Sequence, residues 1–225
     1  SRISGILESE DISSTISCLR LLGADIRSDG QDVLVTGKGF GGLVEPAISL
    51  DCGNSGTSAR LLAGIISGLP FPSTLTGDDS LKSRPMARII DPLTLIGASI
   101  KAVNSDNLLP LSVSPSSDIR EDSVIETGVA SAQVKSAVLL CALSAGVGVT
   151  VKEPLLSRDH TERLLTAMGA EFVYPAELSG HSVKLLKREK ELAAIDITVP
   201  GDISTAAPWI IAATLHDDAE LVLQG

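Results

Sequence analysis

Aromatic side chains are nearly missing from this sequence: they make up 2% of its 225 residues, with one Trp and one Tyr. The chain is nevertheless 44% hydrophobic, so its core has to be built from Leu, Ile, Val and Ala. Such residues suit helix–sheet and helix–helix packing better than an aromatic-rich sandwich. Basic residues are outnumbered, 18 Lys and Arg against 28 Asp and Glu, for a formal charge of −10. That balance argues against nucleic acid as the main partner, because phosphate neutralisation needs a net basic face. It also requires any anionic substrate to be held by a local positive site against an unfavourable overall field. No apolar run reaches the ~18 residues of a membrane span. The opening SRISGILESED has neither the basic n-region nor the apolar h-region of a secretory signal. Cysteine is scarce and odd in number; Cys18, Cys52 and Cys141 lack metal-ligand spacing and read as reduced, intracellular thiols. The expectation is a cytoplasmic chain with no membrane partner and no metal.

What the sequence does contain is an internal repeat. SEDISSTISCLRLLGADI, SRPMARIIDPLTLIGASI and RDHTERLLTAMGAEF each read as a helix closed by Gly-Ala and followed by an extended stretch. The closing glycines, Gly23, Gly97 and Gly169, are spaced by 74 and 72 residues and occupy the position of a left-handed helix stop. Ile12, Ile16 and Leu19 form one apolar stripe, and Met86, Ile89, Leu93 and Ile96 another, as expected of amphipathic outer helices. A second helix type alternates with these. GTSARLLAGIISG, SAQVKSAVLLCALSAG and STAAPWIIAATL are small or apolar nearly all round, the pattern of a buried helix.

Each apolar helix follows an extended run (AISLD, SVIET, IDITV) and precedes another (STLTG, GVTVKE, AELVL). DIRSDGQDVLVTG and EFVYPAELSGHSVKLL read as hairpins. The unit is therefore βαβαββ, three times over: roughly 1–47 with 196–225, 48–123 and 124–195. One unit cannot close its own core, and three around an axis can. The expected picture is one α/β domain with three buried helices inside, and sheets and outer helices outside. ELVLQG resembles the strand RISGIL and reads as the first strand of a further unit, which suggests a larger parent protein.

The three apolar helices begin alike, at Gly53-Asn54-Ser55-Gly56-Thr57, at Gly128 through Gln133, and at Gly201-Asp202-Ile203-Ser204-Thr205. If rotation relates the units, their N-termini share one face, where free amides and dipole ends favour phosphate or carboxylate. Taken singly, Asn54, Ser131 and Ser204 read as ordinary N-caps; their recurrence on one face points to an anion site. GNSGT is not a nucleotide P-loop, since no Lys follows its second glycine. Arg84 and Arg158 stand at outer-helix starts, with Pro85 at the first helical position; each reads either as a solvated arginine or as an anion-binding fork. Asp159 reads as an N-cap with Glu162 three residues on, which leaves His160 a poor candidate for acid–base work. No convincing Ser–His–Asp set appears.

LDCGNSGTSARLLAG, LTGDDSLKSRPMARIIDPL, ASAQVKSAVLLCAL and EPLLSRDHTERLL, in this order, resemble the 5-enolpyruvylshikimate-3-phosphate synthases, enzymes of aromatic amino-acid biosynthesis inhibited by glyphosate. The resemblance runs from RISGILESEDI to VPGDISTAAP. It implies the enolpyruvyl transferase fold, a three-fold pseudo-symmetric inside-out α/β barrel, as one of two domains flanking an active-site cleft. It also implies transfer of the enolpyruvyl group of phosphoenolpyruvate to the 5-hydroxyl of shikimate 3-phosphate, without metal or organic cofactor.

By motif, Ser131, Ala132, Gln133 and Arg158 would bind shikimate 3-phosphate, while Gly56, Thr57, Arg84 and Gln133 would bind phosphoenolpyruvate. The family's Lys-Ser motif is not in the sequence, and the groups expected of the second domain are missing too, so no complete catalytic set is expected. Glu126-Thr127-Gly128-Val129 replaces an aromatic-Pro-Val, and SPSSDIRED is unusual. The resemblance thus implies a monomeric half-enzyme that binds shikimate 3-phosphate weakly and does not turn over alone. Three alternatives are a domain of a UDP-N-acetylglucosamine enolpyruvyl transferase, an RNA 3′-terminal phosphate cyclase, and a non-catalytic anion-binding module. The first would place a reactive Cys in the region of TGDDSLKSRPM, which has none. The second fits poorly with the acidic balance and with the lack of basic–aromatic clusters.

Overall fold

A computed structural model describes residues 1–29, 32–104, 106–175 and 181–223, with the side chain of Phe40 left aside. The chain starts with strand β1 (Arg2–Ser4) and helix α1 (Glu10–Leu21), then the antiparallel pair β2 (Asp25–Asp29) and β3 (Asp32–Thr36). The β2–β3 turn falls on residues outside the described ones. Ser9 caps α1, its Oγ accepting from the Ile12 amide at 3.3 Å, and Arg20, in the last turn, donates to the Ile26 carbonyl of β2.

The second unit is β4 (Leu50–Asp51), α2 (Gly56–Ser67), β5 (Ser73–Thr76), α3 (Asp79–Lys82), α4 (Ala87–Ile96), β6 (Ser99–Ala102) and β7 (Leu111–Ser114). The third is β8 (Ser123–Glu126), α5 (Ala132–Ala145), β9 (Val149–Glu153), α6 (His160–Ala167), β10 (Phe172–Val173) and β11 (His181–Leu185). Residues 176–180, between β10 and β11, lie outside the described ones. Last come β12 (Asp196–Thr198) and α7 (Ile203–Thr214).

Three four-stranded sheets result, in the orders β12-β1-β3-β2, β4-β5-β7-β6 and β8-β9-β11-β10. Each holds one parallel pair: β1 with β12, β4 with β5, β8 with β9. The remaining pairings are antiparallel. The sheets follow the α/β pattern expected from the repeat. Gly23, Gly97 and Gly169 all have positive φ, +89°, +107° and +96°, a conformation that side-chain-bearing residues resist. The stripe Met86, Ile89, Leu93 and Ile96 is wholly buried, and α4 turns it toward the core.

The core is centred on α2 and α5. Nine residues of α5 are buried, from Val134 through Leu143, which is why its apolar residues show no single face. The two helices meet where α2 has glycine: a Cβ at Gly64 would lie 2.3 Å from the Ala137 carbonyl oxygen. Just past α2, a Cβ at Gly68 would lie 2.4 Å from that of Cys141. Backbone-to-backbone approach of this kind replaces aromatic bulk as the means of filling the interior.

The third apolar helix departs from expectation. No residue of α7 is buried, and Trp209 is 66% and Leu215 82% exposed. Topology gives the reason. Helix α2 returns to the sheet as β5 beside β4, and α5 returns as β9 beside β8; beside β12 the equivalent slot is already filled by β1. Among the described residues no strand follows α7 to pin its far end, and the residues of β12, which precedes it, are themselves exposed. The run AELVL, read as a strand, is not one in the structure.

Candidate functional site

The candidate site forms where α2 and α5 begin. After β4 the chain turns through Gly53, φ +56°, whose amide donates to Asp51 Oδ1 at 2.9 Å. The cap of α2 is Ser55, its Oγ accepting from the Ser58 amide at 3.2 Å; Asn54 has another task. Ser131 occupies the N-cap position of α5 but makes no side-chain cap. Its hydroxyl and the first-turn amides of α5 are therefore not spent on each other. Gln133 Nε2 donates to Thr57 Oγ1 at 2.9 Å, so the second residue of each helix touches the other. Two positive helix ends thus lie side by side, an arrangement that favours an anion. Helix α7 does not join them in this way. Its cap is Asp202, not Ser204, and that carboxylate already accepts from the Ser204 amide at 2.9 Å and Thr205 Oγ1 at 2.7 Å.

Arginines gather at the same place. Arg84 stands between α3 and α4, so Pro85 precedes the N-cap Met86 and is not the first helical residue. Its guanidinium donates to Asn54 Oδ1 and, at 3.4 Å, to Ser80 Oγ. Asn54 Nδ2 in turn donates to Asp78 Oδ2 at 2.7 Å, and Asp78 Oδ1 caps α3 by accepting from the Leu81 amide at 2.7 Å. The Leu81 amide, followed by Asn54, holds the Asp78 carboxyl below its usual range. Asp78, Asn54 and Arg84 are thereby fixed in a line.

Arg60, half-buried on α2, donates from Nη1 to the Gly56 carbonyl at 3.1 Å. Burial first, and then the charges of Arg84 and Arg88, push its guanidinium below the usual range. Among the described residues none of these three arginines is in an ion pair with a carboxylate. Asp78 lies within range of the Arg84 charge through Asn54 but does not touch it, so a bound anion would complete the electrostatics of these crowded cations. Gly56 sits between two of them: a Cβ there would lie 2.5 Å from Arg60 Nη1 and 3.4 Å from Arg84 Nη1.

The structure therefore brings Gly56, Thr57, Arg84 and Gln133 together, with Ser131 and Ala132 at the adjoining start of α5. Arg158 is exposed just before α6; Thr161, three residues on, shares a 2.7 Å hydrogen bond with Ser136 of α5. His160 is exposed as well. Asp159 is the N-cap residue of α6, yet its side chain pairs with Arg163 at 3.0 Å and Glu162 points inward, so the capping box read from the sequence is not formed. In the sequence Asn54 reads as a cap at the anion site, and Arg60 and Arg88 are not among the site residues. For Arg60 a signal exists: it follows Gly56 by four residues, one helical turn on the same face.

Comparison with known proteins identifies the family. The family model described as EPSP synthase (3-phosphoshikimate 1-carboxyvinyltransferase) matches residues 1–225. Among curated relatives, a 3-phosphoshikimate 1-carboxyvinyltransferase of Syntrophomonas wolfei is 44% identical over 222 residues, 99% of this chain and 50% of that protein. One from Prochlorococcus marinus is 47% identical over 227 residues, again 99% of this chain and 50% of the relative. The solved EPSP synthase of Acinetobacter baumannii superposes with a TM-score of 0.83 at 39% identity, over 95% of this chain and 47% of that one. The chain spans about half the length of the curated relatives it matches. A family match along the whole chain, joined to the three-sheet fold and the paired helix ends, means that this protein belongs to the EPSP synthase family.

Proposed function

We propose that this chain is one domain of a 3-phosphoshikimate 1-carboxyvinyltransferase, and that it supplies the helix-end and arginine half of the active site. The complete enzyme would add the 5-hydroxyl oxygen of shikimate 3-phosphate to C2 of phosphoenolpyruvate, then eliminate inorganic phosphate to restore the double bond. In this reading Ser131, Ala132, Gln133 and Arg158 hold shikimate 3-phosphate. Gly56, Thr57, Arg84 and Gln133 line the phosphoenolpyruvate site, with Arg60 behind Gly56. Gln133 lies at the boundary, where its contact with Thr57 joins the two groups. The supporting observation is that junction, with α5 lacking a side-chain cap on one side and, on the other, crowded arginines that no carboxylate among the described residues pairs directly.

Both substrates are anions, and the chain's contribution is to bind and orient them. Proton transfer, and the exclusion of water by a closing cleft, fall to the second domain in this reading. The isolated chain should therefore bind shikimate 3-phosphate weakly and release no phosphate when phosphoenolpyruvate is added. NMR titration at about 50 and 500 mM salt should show affinity falling as salt rises, since an open site is screened. Ser131→Ala and Arg158→Ala should each weaken it about tenfold, the loss of one charge-assisted hydrogen bond, and His160→Ala should scarcely matter. Salt-independent binding would count against the site, and robust turnover by the chain alone would refute the half-enzyme reading.

Glyphosate gives a separate check. In Gly56→Ala the new methyl displaces the Arg60 guanidinium, a flexible end, so folding should change little while the phosphoenolpyruvate pocket narrows. In the complete enzyme the inhibitor constant for glyphosate, slightly longer than the substrate, should rise far more than the KM for phosphoenolpyruvate. Equal changes would show that Gly56 does not shape this pocket.

A further inference from the structure

Behind the start of α5 lies a charged cluster that touches neither proposed ligand. Lys135 Nζ is 2.8 Å from Glu162 Oε1 and 3.0 Å from Glu153 Oε2, and all three side chains are at most 3% exposed. Burial disfavours the Lys135 ammonium, but the hydrogen bonds and charges of Glu162 and Glu153 outweigh it and hold the group above its usual range. One cation thus faces two buried carboxylates. Glu153 Oε1 and Glu162 Oε2 are buried with no hydrogen-bond partner, so the cluster is not at its electrostatic best.

Its members come from three elements: Lys135 from α5, Glu153 from the end of β9, and Glu162 from the first turn of α6. Two hydroxyl links run beside it. Ser157 Oγ donates to Glu153 Oε2 at 2.9 Å, and the Ser136 and Thr161 hydroxyls hydrogen-bond to each other at 2.7 Å. Lys135–Glu162 and Ser136–Thr161 tie the start of α5, just past Ser131–Gln133, directly to the segment 157–162 that carries Arg158, and Glu153 of β9 joins Lys135 to Ser157 of that segment. The loop between β9 and α6 is otherwise poorly packed: its Leu155 and Leu156 are 67% and 73% exposed.

We propose that Lys135 is a positioning residue which, through Glu153 and Glu162, sets Arg158 against Ser131 and Gln133 and so determines affinity for the phosphorylated substrate. This rests on the reading above that these residues hold shikimate 3-phosphate. A buried cation with two acceptors at fixed distances specifies a separation between elements, which apolar packing of equal volume does not. The arginine cluster at Gly56 shares none of these links and meets the start of α5 through Gln133, so the phosphoenolpyruvate side should be affected far less.

The test uses this chain as Lys135→Met, Lys135→Arg, and the triple variant Lys135→Met, Glu153→Met, Glu162→Met, with folding checked by circular dichroism. The triple variant removes the uncompensated charges and keeps the volume, so it remains folded if Lys135→Met alone does not. Amide hydrogen exchange in the free chain should be about tenfold faster at 131–133 and 157–158 in both Met variants, and unchanged at 54–57 and 84. Affinity for shikimate 3-phosphate should fall about tenfold, with binding of phosphoenolpyruvate within about twofold, and Lys135→Arg should stay near wild type. A stable triple variant with wild-type exchange and affinity would overturn the proposal. So would faster exchange with unmoved affinity, or equal loss of both ligands. If the unaltered chain binds no shikimate 3-phosphate, the functional reading fails, and with it the substrate role given to Lys135. The exchange measurement still decides, by itself, whether the cluster holds the loop.

Discussion

Gly64→Ala is expected to destabilise the chain by about 3 kcal/mol, the upper part of the range for overpacking a core. At an exposed helical position the same change would be stabilising by about 1 kcal/mol, because alanine is the better helix former. Here the sign reverses. The added Cβ would lie 2.3 Å from the Ala137 carbonyl oxygen, 2.7 Å from its Cα and 2.8 Å from its carbonyl carbon. All three are backbone atoms of α5, so no side chain can swing aside and the helices have to separate. Separation exposes contacts of Ala63, Ile66, Val138 and Cys141, all fully buried now. Gly128→Ala provides the control, since nothing lies within 4 Å of a Cβ there, and should change stability by less than about 0.5 kcal/mol. Urea unfolding measures both. A lower midpoint at unchanged slope is expected for Gly64→Ala, and a neutral result would mean that the α2–α5 approach is looser than described.

Lys135→Met should cost about 3–5 kcal/mol, the typical penalty for removing one partner from a buried ion pair. The loss does not measure the strength of the interaction. It arises because Glu153 and Glu162 would stay buried without their cation. The triple Met variant should accordingly regain most of the stability, as apolar replacements of whole buried ion clusters often do. Thermal or urea midpoints in the order wild type near the triple variant, both well above Lys135→Met, are the expected pattern. A triple variant as unstable as the single one would show that the charges themselves hold the fold.

Much of this molecule was legible in one dimension. The Gly-Ala stops at Gly23, Gly97 and Gly169 carry their own reason, because a backbone with positive φ selects glycine whatever surrounds it. The buried helices α2 and α5 announced themselves by having no polar face, and the strand pairs followed from runs bounded by turns. Gly56, Thr57, Arg84 and Gln133 were found from motifs, and the structure sets them side by side. By contrast, Glu162 has the spacing of a capping partner for Asp159, and a local rule assigns it there. A buried ammonium from another helix, 2.8 Å away, won that carboxylate instead.

The difference lies in the range of the forces. Backbone conformation, helix periodicity and turn chemistry depend on neighbours within a few residues, so the sequence by itself determined the repeating unit, its helix ends and the residue types of an anion site. Which elements share a sheet depends on residues far apart along the chain. Only the tertiary structure showed that β1 fills the slot beside β12, leaving α7 outside a core its composition would have suited. Only it set Arg60 beside Arg84 and Lys135 between two carboxylates. Charges act through space and not along the chain, and their partners are fixed once the sheets and helices have packed.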